Sequence, residues 1–286
     1  MTTAFRAAAP STVSTSTPNL GPLAQLAGTW VGSGFNLVAL PISPPPPPDS
    51  QTNPSFFVKI NATHETIAFT PISAPIPDRG FQQPDIEYLG LHYLQQVTDA
   101  VLNSALHIET GMWLNVPATT APAQPATIVR LATVPHGDSL LMQGQANVTP
   151  FGPAPFLPVS TSPIGTFSGL GYTDHYNLPL PPGLPVGTPT GVIADPNLLL
   201  GQAVSGQNIV STTVLTISTA APGGILNIPF VTTNAQATQC TATFWIETVQ
   251  NTDGSQFVQL QYSQTVLLNF GNIIWPHISV STLIKQ

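Results

Sequence analysis

Histidine is the residue type in this chain best suited to proton transfer or metal binding, because the unperturbed pKa of its imidazole lies close to neutrality. Six histidines occur, at His64, His92, His107, His136, His175 and His277. His107 and Glu109 stand two residues apart in a segment with the alternation of a strand, so both side chains lie on one face, which Gly111 continues with room for a bulky group. This pair suits proton exchange with a bound ligand, and it suits a polar outer face equally well.

Two further histidines stand in backbone settings that could hold an imidazole at a set point. His136 precedes Gly137 and therefore belongs to a strand end or turn, where an exposed histidine and a functional one are both expected. His277 follows the pair Trp275-Pro276, and the proline fixes the backbone just before the imidazole. Taken alone, neither position identifies a ligand.

The composition excludes several classes of function. The 286 residues include 5 Lys and Arg against 12 Asp and Glu, which gives a net charge of −7. A protein that binds a phosphate backbone or an anionic membrane surface needs a basic face, so we expect neither nucleic acid nor a membrane as a partner. The hydrophobic fraction of 42% is too high for a disordered chain.

The single cysteine, Cys240, rules out an internal disulfide and a cysteine-based zinc site. Residues 1–10 contain one basic residue and no apolar core of signal-peptide length, and no apolar run reaches the ~18 residues of a transmembrane helix. We therefore expect a cytoplasmic protein. Nucleotide-binding, metalloprotease and serine-hydrolase motifs do not occur.

Short segments rich in Val, Ile, Thr and Phe, many with period-2 alternation, predict an all-β fold. The predicted strands are Thr29–Val38, Ser55–Ile60, Glu65–Thr70, Glu87–Thr98, Ala105–Val116, Ala126–Val134, Ser139–Val148, Gln207–Ser218, Ala237–Val249 and Gln256–Asn269. Many sequential antiparallel strands with little helical periodicity indicate a β-sandwich or a β-barrel.

Proline is abundant, with 32 residues, and it is concentrated between the predicted strands. We expect a flexible N-terminal tail over 1–20 and one barrel domain over 21–286, with long Pro- and Gly-rich loop insertions at 41–54, 71–86 and 150–206. Proline-rich loops of this kind lie over the surface of a domain at a modest entropic cost. The alternative is that Phe151–Gly191 links two domains.

Five short segments, together with the terminal Leu283-Ile284-Lys285, share their order and pattern with a known family. The segments are Leu26–Gly34, which reads Leu-x-Gly-Thr-Trp-x-Gly-x-Gly, then His92–Gln95, Leu106–Gly111, Ile128–Thr133 and Trp275–Ile278. They resemble the motifs of the nitrobindins, heme-binding β-barrels related in shape to fatty-acid-binding proteins. The resemblance implies an all-β fold with a single antiparallel, lipocalin-like β-barrel of about ten strands. The resemblance covers roughly residues 23–149 and 237–286. Three features depart from it: Val31 replaces a common Arg, Thr133 replaces a Gln, and His136 is additional.

The resemblance implies heme b as the cofactor, with His277 as the axial ligand of its iron. It implies cofactor-binding positions at Thr29, Trp30, Thr133, Trp275 and His277, and it turns His107 and Thr133 toward the barrel lumen. His107 and His136 are then the candidate catalytic residues for proton transfer on the open side of the iron.

The function implied is a heme protein with an open iron position that handles nitric oxide, peroxynitrite or peroxide, by peroxidase-like or isomerase chemistry. Two alternatives remain. The barrel could be a heme-free, lipocalin-like carrier or an enzyme acting on an apolar small molecule, or it could hold a non-heme metal on lumenal histidines. The expected partner is a small diatomic or peroxide ligand or an apolar small molecule, and a homodimer is allowed.

Overall fold

The computed structural model describes residues 19–42, 56–165, 179–220 and 222–286. Most of the tail predicted over 1–20 and of the insertion predicted over 41–54 lies outside these ranges. Antiparallel strands dominate the described chain. They are β1 (Gly28–Pro41), β2 (Phe56–Pro71), β3 (Ile76–Asp78), β4 (Ile86–Asp99), β5 (Ala105–Val116), β6 (Thr119–Thr120), β7 (Ala123–Gln124), β8 (Thr127–Val134), β9 (Asp138–Thr149), β10 (Asn208–Ser218), β11 (Gly224–Asn227), β12 (Gln236–Gln250), β13 (Gln256–Phe270) and β14 (Ile273–Lys285).

Ten of these strands form a closed barrel, in the order β10-β12-β13-β14-β1-β2-β4-β5-β8-β9, and β9 pairs with β10 to complete the ring. All the pairings are antiparallel, as expected for strands joined by short connections. Outside the ring, β11 pairs with β9, β3 pairs with β4, and β6 with β7 forms a separate hairpin. The predicted single antiparallel barrel is confirmed.

A 3-10 helix, Gly21–Leu26, packs against one end of the barrel and closes it. Leu23 and Leu26 of this helix are fully buried, and the indole Nε1–H of Trp30 donates to the carbonyl oxygen of Leu26 at 2.7 Å. Behind the helix, apolar side chains of the strands fill the interior, among them Ile67, Phe69, Leu91, Trp113, Phe244, Leu260 and Leu283. This half of the barrel is therefore a packed core, as in other small barrels.

The segment between β9 and β10 covers part of the outer wall of the barrel. It contains the 3-10 helix Thr190–Ile193 and the helix α1 (Leu198–Ala203); a second helix, α2 (Pro229–Asn234), precedes β12. Buried side chains of the segment form one cluster with outward-facing side chains of β1, β12 and β14: Ala154, Val192, Ile193, Leu199 and Leu200 with Phe35, Leu37, Trp245, Ile278 and Val280. These strands are thus buried on both faces, which explains consecutive buried residues such as Leu37, Val38 and Ala39.

Two strand predictions are corrected. The separate strands Ser55–Ile60 and Glu65–Thr70 are one strand, β2, because β1 pairs with it without a break from Pro41 to Gly28. The last strand, β14, was not predicted, since Pro276 cannot donate to a strand ladder. Pro276 is tolerated in β14 because the pairing of β14 with β1 ends at Ile278. Pro276 therefore pairs with β13 but not with β1.

Strands from both sides of the insertion predicted over 150–206 belong to the same barrel, since β9 and β10 pair with each other along Thr149–Gln143 and Thr212–Ser218. The insertion predicted over 71–86 contributes the short strand β3. The limits of the domain itself stay a prediction. In the described ranges, every helix is too short or too polar to cross a lipid bilayer.

Candidate functional site

An ion pair between Arg130 of β8 and Glu109 of β5 lies in the centre of the barrel, with side chains 2% and 1% exposed. Arg130 donates from Nε to the hydroxyl of Tyr93 at 3.0 Å and from Nη1 to Oε1 of Gln264 at 2.7 Å, while Tyr93 donates to Glu109. Burial by itself raises the pKa of Glu109, but the charge of Arg130 and the hydrogen bonds from His107 and Tyr93 outweigh it and lower the pKa to about 2. Glu109 is therefore ionised at neutral pH.

A second buried carboxyl group, that of Glu65 on β2, has a different environment. Tyr262 donates to its Oε2 at 2.8 Å and Gln95 Nε2 donates to its Oε1 at 2.6 Å. Burial raises the pKa of Glu65 to about 7, because these hydrogen bonds, with one from Ser281, only partly offset the loss of hydration. The barrel thus holds one permanently ionised carboxylate and one that titrates near neutrality.

His107 connects the ion pair to a second histidine. Its Nε2 lies 3.4 Å from Oε2 of Glu109, and its ring centroid lies 5.7 Å from that of His136. The predicted sharing of one strand face by His107 and Glu109 is confirmed. Burial and the neighbouring His107 lower the pKa of His136, against a smaller opposing effect of Asp138.

His277 lies on the inner face of β14, the face that also carries the buried Ser281 and Leu283. The side-chain amide of Asn36 on β1 hydrogen-bonds to Nε2 of His277 at 2.8 Å and to Oγ of Ser279 at 3.0 Å. These bonds fix the orientation of the imidazole ring.

His107 and His136 are neighbours, and His136 is exposed in the turn between β8 and β9. Burial lowers the pKa of His277 to about 4, with further contributions from His107 and His136. His277 is therefore neutral at pH 7. Of the three sequence-predicted histidines, the structure brings His107 and His136 together.

Aromatic side chains line the interior next to His277. Trp275, two residues earlier on the same face of β14, is 1% exposed and stacks on Phe270 with ring centroids 5.1 Å apart. Phe56 also packs against Trp275, with ring centroids 4.3 Å apart and the two rings tilted. The indole of Trp275 also donates to the carbonyl oxygen of Phe270 at 3.1 Å. The structure thus places the predicted cofactor residue Trp275 beside His277.

Thr133 was expected to face the lumen, and this is wrong, because it is exposed on the outer wall. Its neighbour Ala132 is 5% exposed and belongs to the inner core, so strand alternation turns Thr133 outward.

Gly111 does not make room for a ligand either. A Cβ atom there would lie 1.9 Å from the carbonyl oxygen of Leu131, so the adjacent strand occupies that space.

Thr29 and Trp30 were expected to contact the cofactor, and the register of β1 corrects this. Trp30 pairs with Lys285, whereas Leu37, seven positions further along β1, pairs with Ile278 beside His277. At about 3.4 Å per residue, the two levels are roughly 20 Å apart. Trp30 is a core residue of the closed end and Thr29 is exposed, so neither reaches the space in front of His277.

Arg130 and Asn36 are among the residues of the site that the sequence reasoning missed. Arg130 carried a usable signal, because alternation in β8 puts it on the face of Ile128 and Ala132, and a cation on an apolar face needs a buried partner. Asn36 carried none, since its role depends on the pairing of β1 with β14, at opposite ends of the chain.

Among the described residues, no three His, Cys, Asp or Glu side chains lie close enough to hold a metal ion together. A single-histidine iron ligand is not affected by this result. The alternative of a non-heme metal on several lumenal histidines finds no support in the described part of the chain.

Comparisons with known proteins add little. No family model matches the chain, and no curated protein matches its sequence. One similar solved structure is that of Rv2717c from M. tuberculosis, with 18% identity, coverage of 94% of this chain and 98% of that one, and a TM-score of 0.48. The described strands themselves show the ten-stranded antiparallel barrel, and the family suggested by the motifs stays a prediction.

Proposed function

We propose that the barrel binds heme b through the imidazole of His277, in the half of the interior that contains His107. The observation that carries this proposal is the state of His277: an inward-facing histidine with its pKa lowered to about 4 and its Nε2 hydrogen-bonded to the side-chain amide of Asn36. Only a neutral imidazole nitrogen with a free lone pair can ligate iron. The donor set thus fits the group once His277 exchanges its hydrogen bond with Asn36 for the iron.

The surroundings of His277 also suit a large, flat, apolar macrocycle. Trp275, the stacked Phe270 and the tilted Phe56 form an aromatic group on one side. With a single protein ligand, the bound heme would supply an iron with an open position that binds nitric oxide or reacts with peroxide or peroxynitrite.

In this proposal His107 and His136 perform the proton transfers. Their rings lie 5.7 Å apart, and Glu109 holds Nε2 of His107 at 3.4 Å. The ionised Glu109 orients His107, so in this proposal His107 is the proton donor to a bound ligand. His136, whose pKa is lowered by burial, is the better acceptor.

A heme-free carrier of an apolar small molecule is the second candidate. The aromatic group of Trp275, Phe270 and Phe56 favours it as much as it favours heme, because stacked rings bind any flat apolar ligand. In this case the histidines would serve as polar anchors for one end of the ligand.

A titration of the purified protein with hemin tests the proposal. We expect a Soret band that saturates at one heme per chain, and a spectral change when imidazole or cyanide occupies the open position. A hemin spectrum that does not saturate, with saturable binding of an apolar fluorescent probe, would support the carrier instead.

We propose the cytoplasm as the location, since the only cysteine is buried and unpaired and the fold gains nothing from an oxidising compartment.

A further inference from the structure

A row of polar side chains is completely buried between the outer wall of the barrel and the segment that covers it. Glu247 of β12 pairs in register with Gln259 of β13, and Gln261 follows two residues later on the same outward face. All three have 0% of their surface exposed. A fully buried carboxylate is costly unless it is paired or binds a cation.

Hydrogen bonds fix both amide groups of this row. Nε2 of Gln259 donates to Glu247 Oε2 at 2.6 Å and to Gln207 Oε1 at 2.8 Å. Nε2 of Gln261 donates to the carbonyl oxygen of Leu200 at 3.2 Å and to Thr282 Oγ1 at 2.8 Å. If the nitrogen and oxygen of either amide were exchanged, the amide oxygen would face the Glu247 carboxylate or the Leu200 carbonyl, and the two acceptors would repel each other. The positions of the amide oxygens are therefore determined.

The row has a surplus of acceptors. Within the described ranges, Oε1 of Glu247, Oε1 of Gln259 and Oε1 of Gln261 are buried and receive no hydrogen bond. Ion pairs in these ranges involve Glu109 and Asp85 but not Glu247. Since the amide hydrogens are already used, these oxygens need a cation or a further hydrogen-bond donor from outside the row.

We propose that Glu247, Gln259 and Gln261 form a site for a monovalent alkali cation, which attaches the covering segment to the barrel. Carboxylate and amide oxygens suit hard cations. The single charge of Glu247 is neutralised by one monovalent ion, whereas a divalent ion would leave a net positive charge in a buried place. Leu200 and Gln207 belong to the covering segment and bond to the same two glutamines, so occupancy stabilises its contact with β12 and β13.

Thermal unfolding in different salts tests the site. The protein is compared in potassium, sodium and choline chloride at equal ionic strength, at pH 8.5, because burial raises the pKa of Glu247 to about 7 and the carboxyl must be ionised. We expect a melting temperature about 2–5 °C higher in potassium or sodium than in choline. Glu247→Gln should abolish the difference, and the matched variant Glu87→Gln, at an exposed position, should keep it.

Equal melting temperatures in all three salts would overturn the proposal, because buried water would then satisfy the oxygens. A response to calcium alone would overturn the assignment to a monovalent ion. If Glu247→Gln fails to fold, crystals of the unaltered protein soaked in rubidium decide the question. An anomalous peak beside Glu247, Gln259 and Gln261 supports the site, and its absence at high occupancy of the soak rejects it.

Discussion

Glu109 and Arg130 form their ion pair at the boundary between two halves of the barrel interior. On one side lies the apolar core that the helix Gly21–Leu26 closes, and on the other lie His107 and the histidines near it. Because Glu109 also lies 3.4 Å from Nε2 of His107, one carboxylate both stabilises the fold and orients a candidate catalytic residue.

Glu109→Gln should lower the free energy of unfolding by about 3–5 kcal/mol, because it leaves the buried guanidinium of Arg130 without its counter-charge. Urea unfolding measures the change. The exposed Glu87→Gln is the matched control and should stay within about 0.5 kcal/mol of the unaltered protein. A loss below about 1 kcal/mol for Glu109→Gln would show that the ion pair does not stabilise the fold.

Glu65 should make stability fall with rising pH. Its pKa is raised from 4.5 to about 7 in the folded state, so folding favours its protonated form. The contribution is complete below pH 4.5 and is lost as the pH rises through 7, which amounts to about 3 kcal/mol. Glu65→Gln removes this pH-dependent contribution. Between pH 4 and pH 8, the free energy of unfolding of the variant should therefore rise by about 3 kcal/mol relative to that of the unaltered protein. A difference that does not change with pH would contradict the raised pKa.

His107→Leu should slow the reaction of the heme-loaded protein with peroxide by about 100-fold or more, while heme stays bound. The reason is the loss of the proton donor that Glu109 orients. Stopped-flow absorbance measures the rate. Thr133→Val, on the outer wall, should leave it unchanged. Equal rates for His107→Leu and the unaltered protein with several small ligands would return His107 to a structural role.

Trp30→Phe should lower the free energy of unfolding by about 1–3 kcal/mol, since the carbonyl of Leu26 loses its donor and a small cavity forms. Heme affinity should not change, because Trp30 lies at the closed end. Parallel denaturation and hemin titrations test both parts. A large loss of affinity with intact stability would place Trp30 at the cofactor after all.

The strand alternation of the sequence predicted much of the site, because alternation depends only on local backbone geometry. It placed His107 and Glu109 together correctly. It could not say which face was interior, since that depends on the pairing of distant strands. Thr133 shows how sensitive this is: an offset of one residue from Ala132 reverses the face.

Long-range pairing accounts for the other differences. Predicted strands Ser55–Ile60 and Glu65–Thr70 merge because β1 pairs with the whole of β2. Asn36 meets His277 only because the first and last barrel strands are neighbours. No local pattern reports such a contact, so the hydrogen-bond partner of His277 could not be found from the sequence.

The central claim is that His277 is the protein ligand of heme iron, and a hemin titration of His277→Ala tests it most directly. We expect the Soret band of the complex to disappear or the affinity to fall at least 100-fold, with the barrel intact by circular dichroism and partial recovery of the spectrum on adding imidazole. His92→Ala, at an exposed position of β4, should bind heme as the unaltered protein does. A His277→Ala variant with an unchanged spectrum and affinity would contradict the proposed function.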